Sequence, residues 1–353
     1  MTDDRTSLES RTIEWLRFAM AAAVVLLHTG ALGVGSTQPV YHTLSVLTSA
    51  GLCRIAVPCF FFISGFFFFK KLDTWDNRLY LSKLKSRVRT LLIPYILWNL
   101  IAALVLWGYP QIRTILQGGI PVSFWDNVKD WGGLWDKGVS FDGPLWFVRD
   151  LMLFCICAPV IHFFVTKSKG VGMIILCIFS IIARRPEVQG ILFFAGGAYL
   201  QLNNKHILTA FRPLKMISYL LAVILLAGIV VFYDNQLIVY GVLREMFVIT
   251  GTVAVFNIVS SGLEKGFLHV HPLLAASSFF IFASHNILIL HDISHSLVLH
   301  IIPFRNEFYN CIDLFLRPTF AVTICVCIYW IMSKLTPRTL GLLAGGRVAK
   351  KAL

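Results

Sequence analysis

The sequence predicts an all-α membrane protein, a polytopic bundle of about ten transmembrane helices with both termini in the cytoplasm. The composition is the first reason, since 57% of the 353 residues are hydrophobic and only 14% are charged. A soluble domain carries roughly 25% charged residues. The second reason is that apolar stretches long enough to cross a bilayer recur from one end of the chain to the other.

The predicted spans differ in length. Two of them, 171–183 and 189–202, are short for a full crossing and flank Arg184, Arg185 and Pro186, so they could form one broken hairpin. The ten spans are placed near 13–33, 48–69, 88–108, 144–166, 171–183, 189–202, 216–233, 240–260, 272–294 and 317–335.

Basic residues predict the orientation. The formal net charge is +13, and the lysines and arginines fall mainly in alternating loops, as the positive-inside tendency requires of cytoplasmic loops. A lipid-facing basic surface explains this charge, so we expect no nucleic-acid partner. The predicted inner positions are Lys70, Lys71, Arg78, Lys83, Lys85, Arg87, Arg89, Lys167, Lys169, Lys205, Arg212, Lys215, Lys265, Lys334, Arg338, Arg347, Lys350 and Lys351.

The predicted organisation is one membrane domain with short aqueous ends. The N-terminus lacks the basic region and cleavage site of a signal peptide, so residues 1–10 are predicted to be a cytoplasmic tail. Residues 11–336 form the transmembrane domain, and residues 337–353 form a basic cytoplasmic tail. The expected location is the inner (plasma) membrane.

The longest predicted outer loop runs from Gly108 to Gly143 and carries Trp125, Trp131 and Trp135. Tryptophans gather at membrane interfaces, so this loop could supply an interfacial aromatic belt. The alternative is a lid that stacks its aromatic faces against sugar rings.

Ionisable residues inside predicted spans are costly and are therefore candidates for function. Arg17 and His28 lie eleven residues apart in the first span. At 100° per residue, this separation returns to the same helix face within about 20°, with a rise of about 16 Å. Arg17 is therefore expected near the cytoplasmic surface and His28 deeper in the membrane.

This pair has two interpretations. Arg17 could extend to the inner headgroups while His28 is a structural residue of the bundle. Alternatively, Arg17 could bind the phosphates of an acyl-CoA whose extended arm brings the thioester beside His28. A neutral imidazole could then act as a general base on an acceptor hydroxyl. Glu14, one turn before Arg17, could fix the arginine side chain.

Five stretches together resemble one protein family. Their order along the chain is Arg17 to His28, Arg54 to Gly65 with Pro58, Phe60, Phe61 and Ser64, Pro144-Leu-Trp146-Phe147-Val-Arg149-Asp150, Ser278 to His285, and Pro337 to Arg347. They are similar to the motifs of the acyltransferase family 3 membrane proteins, bacterial enzymes with some animal relatives that O-acylate carbohydrates. The resemblance covers nearly the whole chain, from about Arg11 to Arg347.

The resemblance implies an O-acyltransferase. It would move an acyl group, with acetyl favoured, from cytoplasmic acyl-CoA to a hydroxyl of an envelope glycan or lipid-linked sugar. His28 would be the general base or a transient acyl carrier. Arg17, Arg87 and Arg89 would hold the CoA phosphates, although the last two are closer together here than the family's Arg-x-x-Arg spacing.

Other residues complete the predicted site. Ser64, Arg54, Trp146, Arg149 and His285 are expected to line the site or to bind the acceptor, although packing or interfacial anchoring also explains Ser64, Arg54 and Arg149. No metal is expected, since no glutamate or third histidine supports the pair His291 and His295, and the eight cysteines are interpreted as packing residues.

The sequence leaves rival functions open. Because some family members carry a C-terminal extracytoplasmic hydrolase-like domain and this chain ends at Leu353, it is expected to act alone or to pass the acyl group to a separate extracytoplasmic protein. The alternatives to an enzyme are a membrane transporter of a lipid or sugar, and a non-catalytic member of the same family.

Overall fold

The computed structural model describes residues 2–121, 142–302 and 306–347, and for residues 2–6, 106 and 169 it describes the backbone alone. Across these ranges every regular element is a helix, as the sequence predicts. The loop tryptophans Trp125, Trp131 and Trp135, and the tail residues Lys350 and Lys351, lie outside the described residues.

Eleven helices, numbered in chain order, form the described fold. Several contain a local change of helical pitch, and α9 contains a kink. Their bounds are α1 Thr2–Gly30, α2 Pro39–Phe68, α3 Asn77–Leu116, α4 Trp146–Ile156, α5 Ala158–Ala183, α6 Pro186–Leu202, α7 Ile207–Phe232, α8 Leu237–Glu264, α9 Pro272–Ile301, α10 Glu307–Leu335 and α11 Pro337–Leu343.

The length and apolar composition of the helices indicate a membrane protein. Seven helices of the described chain are long and apolar enough to cross a bilayer, and a bent pair, 143–156 with 158–168, would make eight. The predicted ten would also require the shorter apolar helices, so the count of ten and the cytoplasmic position of both termini stay predictions.

The break between the fourth and fifth predicted spans is in a different place. The sequence predicts a loop near Lys167, but α5 continues through that segment as one helix. The chain instead bends by 67° between α4 and α5, at Cys157. Pro159 explains the position, because proline lacks the N–H that a continuous helix would need there, whereas lysine is a good helix former.

Helix α1 lies at the centre of the bundle and packs against α2, α8, α9 and α10. The tightest crossing is between α2 and α6, where a Cβ atom on Gly65 would lie 2.0 Å from the carbonyl oxygen of Phe194. On the other helix, a Cβ on Gly197 would lie 2.1 Å from the carbonyl oxygen of Phe62. Gly65 and Gly197 therefore permit the close approach of these two helices.

Helix α9 unwinds in its middle. Ile287 has an extended backbone and Leu288 has a left-handed one, with φ of 63°. A non-glycine residue adopts this conformation only when the surrounding structure holds it. Irregular backbone at this depth is tolerated where it is buried in protein or lines a cavity. The break directly follows His285, which places that residue at the end of a helical segment.

The C-terminal segment is part of the bundle. Leu340 and Leu343 on α11 are buried, and the indole N–H of Trp98 on α3 donates to the carbonyl oxygen of Leu343 at 3.0 Å. The hydroxyl of Tyr329 donates to the carbonyl oxygen of Arg347 at 2.8 Å. Residues 337–347 therefore pack against the transmembrane helices, while the division of the chain at residue 337 and the cytoplasmic position of its end stay predictions.

Candidate active site

Two of the cavities along helix α1 contain its candidate site residues, one lined by Arg17 and the other by His28. We name them the Arg17 cavity and the His28 cavity. Both side chains face the interior of the bundle, which is the arrangement that their spacing of eleven residues predicts. Helix geometry separates the two positions by about 16 Å along the axis.

The Arg17 cavity, of about 150 Å³, brings together guanidinium groups from three distant parts of the chain: Arg17, Arg87 and Arg347. Each group lies over an aromatic ring, with Arg17 5.7 Å from the ring centre of Phe67 and Arg347 4.9 Å from that of Phe279. Such contacts orient the planar groups without neutralising them.

Clustered positive charge is the main electrostatic feature of this cavity, although the carboxylate of Glu14, outside the lining, acts on Arg17 electrostatically. No carboxylate is among its described lining residues, so the three guanidiniums repel one another in surroundings that water screens poorly. Burial, together with the charges of Arg17 and Arg87, lowers the pKa of Arg347 to about 10. An anion with several oxygens, such as a phosphate, would relieve this repulsion and accept charge-assisted hydrogen bonds.

Two residues that the sequence placed with Arg17 lie elsewhere. Glu14 is exposed, and no hydrogen bond or ion pair joins it to Arg17 in the described chain. Arg17 lies over an aromatic ring of the cavity, and Glu14 acts on it electrostatically, so the expectation that Glu14 fixes its side chain stays a prediction. Arg89 is exposed and is not among the lining residues, so its role in binding the donor stays a prediction.

The His28 cavity is larger, about 260 Å³, and carries a different set of polar groups. His28 shares it with Arg54 and Trp146, two residues that the sequence predicts for the site. Ser64, by contrast, lines the Arg17 cavity together with Ser278.

The His28 cavity also contains a polar network that the sequence analysis missed. Glu245 is buried, and its carboxylate accepts hydrogen bonds from the side chains of Gln189 at 2.7 Å and Arg244 at 2.9 Å. The signal was present in the sequence, because Arg244 and Glu245 are ionisable residues inside a predicted span. Arg347 was missed as a site residue because it lies far from any span.

His28 and His285 form a close pair. Their ring centres are 5.3 Å apart, and His285 is fully buried. Nδ1 of His285 lies 3.1 Å and 2.9 Å from the carbonyl oxygens of Ile281 and Phe282, so this nitrogen must carry the proton. Nε2 of His285 then has a lone pair, and no partner for it exists among the described residues. The ring of His285 therefore lies beside His28 with Nε2 available as a hydrogen-bond acceptor.

A cluster of phenylalanine rings separates the two cavities. Phe282 lines both of them. Its ring centre is 5.5 Å from that of Phe147 and 6.2 Å from that of Phe60. A ligand that occupied both cavities would therefore have to pass beside the ring of Phe282.

Comparison with known proteins identifies the family of the chain. The acyltransferase domain family matches residues 11–334. This chain belongs to the acyltransferase 3 family. It is therefore a membrane acyltransferase, and its motif residues Arg17 and His28 are the ones that line the two cavities.

Among curated proteins, this acyltransferase is similar to the succinoglycan biosynthesis protein ExoH of Rhizobium meliloti (strain 1021). The two are 24% identical over 320 residues, which is 88% of this chain and 84% of the relative. No solved structure matches the chain.

His285 and Arg149 are motif residues of the acyltransferase that line neither cavity. Arg149 lies on α4 with its guanidinium bonded to the buried carboxylate of Asp150 at 2.7 Å and 2.9 Å. The neighbouring Trp146 and Phe147 line the His28 and Arg17 cavities respectively. A direct role of Arg149 in the site stays a prediction.

Proposed function

We propose that this protein transfers an acyl group, with acetyl favoured, from cytoplasmic acyl-CoA to a sugar hydroxyl of an envelope glycan or lipid-linked sugar, at the inner membrane. The observation that carries the proposal is the pair of cavities along α1. One contains three guanidinium groups, and the other contains His28, whose ring packs against the buried ring of His285.

The donor would occupy the Arg17 cavity. Arg17, Arg87 and Arg347 would bind the CoA phosphates, which supply the anionic oxygens that the cavity lacks. The extended pantetheine arm is comparable in length to the separation of Arg17 and His28, about 16 Å along the helix. It would pass beside Phe282, so that the thioester reaches the histidine pair.

The chemistry at His28 would be acyl transfer to oxygen. As a general base, His28 removes the proton from the acceptor hydroxyl while that oxygen attacks the thioester carbonyl carbon. The carbon–sulfur bond then breaks, and the proton passes to the CoA thiolate. Alternatively, a nitrogen of His28 attacks the thioester carbonyl carbon, and the carbon–sulfur bond breaks to release CoA, whose thiolate takes the imidazole proton. The sugar hydroxyl then attacks the acylated imidazole, and its proton passes to the imidazole as the carbon–nitrogen bond breaks. His285, with its unprotonated Nε2 beside His28, would position the reacting imidazole.

The acceptor would enter the His28 cavity. Trp146 offers an aromatic face to a sugar ring, and Gln189 and Glu245 offer hydrogen-bonding groups to its hydroxyls. The relative's name, which refers to succinoglycan biosynthesis, supports a polysaccharide as the class of acceptor. An extracytoplasmic protein that takes over the acyl group is also compatible with this arrangement.

Shortening Phe282 should relax selectivity for the size of the acyl group. Phe282→Ala would open the wall between the cavities. We therefore expect the ratio of kcat/KM for butyryl-CoA to that for acetyl-CoA to rise by about tenfold, which is the discrimination that one methylene group in an apolar pocket provides. The measurement is initial rates with each donor. Phe279→Ala, which lines the Arg17 cavity alone, is the comparison. An unchanged ratio in Phe282→Ala would contradict a passage beside this ring.

Removing His285 should slow transfer without weakening donor binding. We expect His285→Ala to lower kcat by about 10–100-fold, less than the full effect of a general base, while KM for acyl-CoA changes by less than about threefold. The matched control is His300→Ala, since His300 is an exposed residue of the same helix. If both variants were equally active, His285 would have no part in acyl transfer.

The proposed function is tested in cells by mass spectrometry of envelope glycans with and without this protein. We expect the glycans of producing cells to carry one additional acyl unit per modified sugar, and the size of the shift identifies the acyl group. Cells that produce His28→Ala should lack the shift at an equal protein level. Identical glycans in all three strains would refute the proposal for that envelope.

A further inference from the structure

Charged side chains inside the described transmembrane helices are mostly paired. Arg317 on α10 is buried with Asp313, Arg244 on α8 bonds Glu245 at 2.9 Å, and Arg149 on α4 bonds Asp150 at 2.7 Å. Pairing is expected, because an isolated charge within a membrane is costly. A charge that is not paired within the protein therefore needs another explanation.

Arg54 on α2 is such a charge. Its guanidinium makes no hydrogen bond or ion pair with the described part of the chain, although it lies in a helix long and apolar enough to cross the bilayer. Its side chain is accessible where it lines the His28 cavity, but its guanidinium lies among protein groups that partly desolvate it. Because Glu245 already neutralises Arg244, the charge of Arg54 is left over among the lining residues.

The surroundings of Arg54 supply no replacement anion. The ionisable groups that act on it electrostatically are Tyr233, Tyr240, Arg244 and Cys53, and on the side of α1 it acts on His28. At neutral pH, none of these carries a negative charge by its ordinary pKa. The missing partner must therefore come from outside the described chain.

We infer that Arg54 binds a carboxylate, or an equivalent single anionic group, of the ligand in the His28 cavity. A guanidinium presents a planar fork of donors that matches a carboxylate. This inference rests on the proposed function and adds a substrate class to it. The anionic group belongs either to a dicarboxylic acyl group, such as succinyl, or to an acidic residue of the acceptor glycan.

The stability of Arg54→Gln is the first test and requires no activity. If Arg54 has no partner inside the protein, removing its charge removes a desolvation cost, so the unliganded variant should melt at the same temperature as the wild type or higher. The control Arg113→Gln removes an exposed arginine near the end of α3. A melting temperature lowered by more than about 5 °C in Arg54→Gln alone, a shift that corresponds to roughly 1 kcal/mol or more, would show an internal partner and overturn the inference.

The second test measures equilibrium binding to purified protein in lipid nanodiscs, in two arms. One arm compares succinyl-CoA with acetyl-CoA, and the other compares an oligosaccharide containing a uronic acid with its neutral counterpart. In the wild type, and in Arg113→Gln, we expect the charged ligand of one pair to bind about 10–100-fold more tightly, as a charge-assisted contact predicts. Arg54→Gln should abolish this preference, and Arg54→Lys should keep part of it.

The arm that shows the preference identifies the source of the anion. No preference in the wild type in either arm would overturn the inference, as would a loss in Arg54→Gln that is equal for charged and neutral ligands. The latter result would instead fit stabilisation of the reacting oxygen. Because binding is measured without turnover, a protein that binds as expected but transfers no acyl group would count against the proposed function and leave the role of Arg54 supported.

Discussion

Replacing His28 with alanine should lower the rate of acyl transfer by about 10²–10⁴-fold, the range that a general base contributes. If the histidine carries the acyl group covalently, the loss should be at the upper end or beyond. The variant should still bind acyl-CoA, because the guanidinium groups assigned to the CoA phosphates, those of Arg17, Arg87 and Arg347, lie in the other cavity. The measurement is kcat from initial rates, with the donor Kd measured separately.

His269→Ala is the matched control for this experiment, because His269 is exposed and lines neither cavity. Its rate should stay within about twofold of the wild type, as expected for a surface substitution. If His28→Ala retained full activity at an equal protein level, the imidazole would have no part in the chemistry.

Replacing Arg17 with alanine should chiefly weaken donor binding. Losing one charge-assisted contact to a phosphate should raise the Kd for acyl-CoA by about 10–100-fold, whereas kcat at saturating donor should change much less. The remaining guanidiniums of Arg87 and Arg347 would keep part of the affinity. The measurement is the Kd for CoA and acetyl-CoA by titration of the purified protein.

Arg11→Ala provides the comparison, since Arg11 is an exposed arginine on the same helix. It should leave the Kd for acyl-CoA within about threefold of the wild type, as expected where an exposed charge is screened by solvent. If Arg17→Ala instead changed only the affinity for the acceptor, the positions assigned to donor and acceptor would be reversed.

Those features of the site that depend on a single helix could be predicted from the sequence. The spacing of Arg17 and His28 fixes their common face through helix geometry alone. The pairing of His28 with His285, at 5.3 Å between ring centres, joins α1 to α9 and depends on tertiary packing. The sequence analysis placed His285 in the site through family resemblance, whereas its contact with His28 required the structure.

The set of residues that line the Arg17 cavity also depends on tertiary packing and could not be predicted from the sequence. Arg87 and Arg89 are two residues apart and look equivalent in the sequence, but only Arg87 lines the cavity. Arg347 lines it because α11 folds back onto the bundle, with Leu340 and Leu343 buried. A hydrophobic pattern of seven residues, Pro337–Leu343, is too short to predict such docking.

The fold could be predicted where hydrophobic segments are long. Helical structure throughout the described chain follows from the need to satisfy backbone hydrogen bonds in lipid. The bend at Cys157 and the unwound residues Ile287 and Leu288 were not predicted. Local composition does not mark Leu288, whose left-handed conformation is imposed by its surroundings.

Acyl transfer by the purified protein is the most direct test of the account. The protein is placed in lipid nanodiscs, where no gradient exists, with acetyl-CoA labelled in the acyl group and a purified envelope glycan. The account predicts labelled glycan and an equal amount of free CoA thiol, with both products absent in His28→Ala. Movement of glycan or lipid across sealed vesicles, with no covalent product in either preparation, would contradict it.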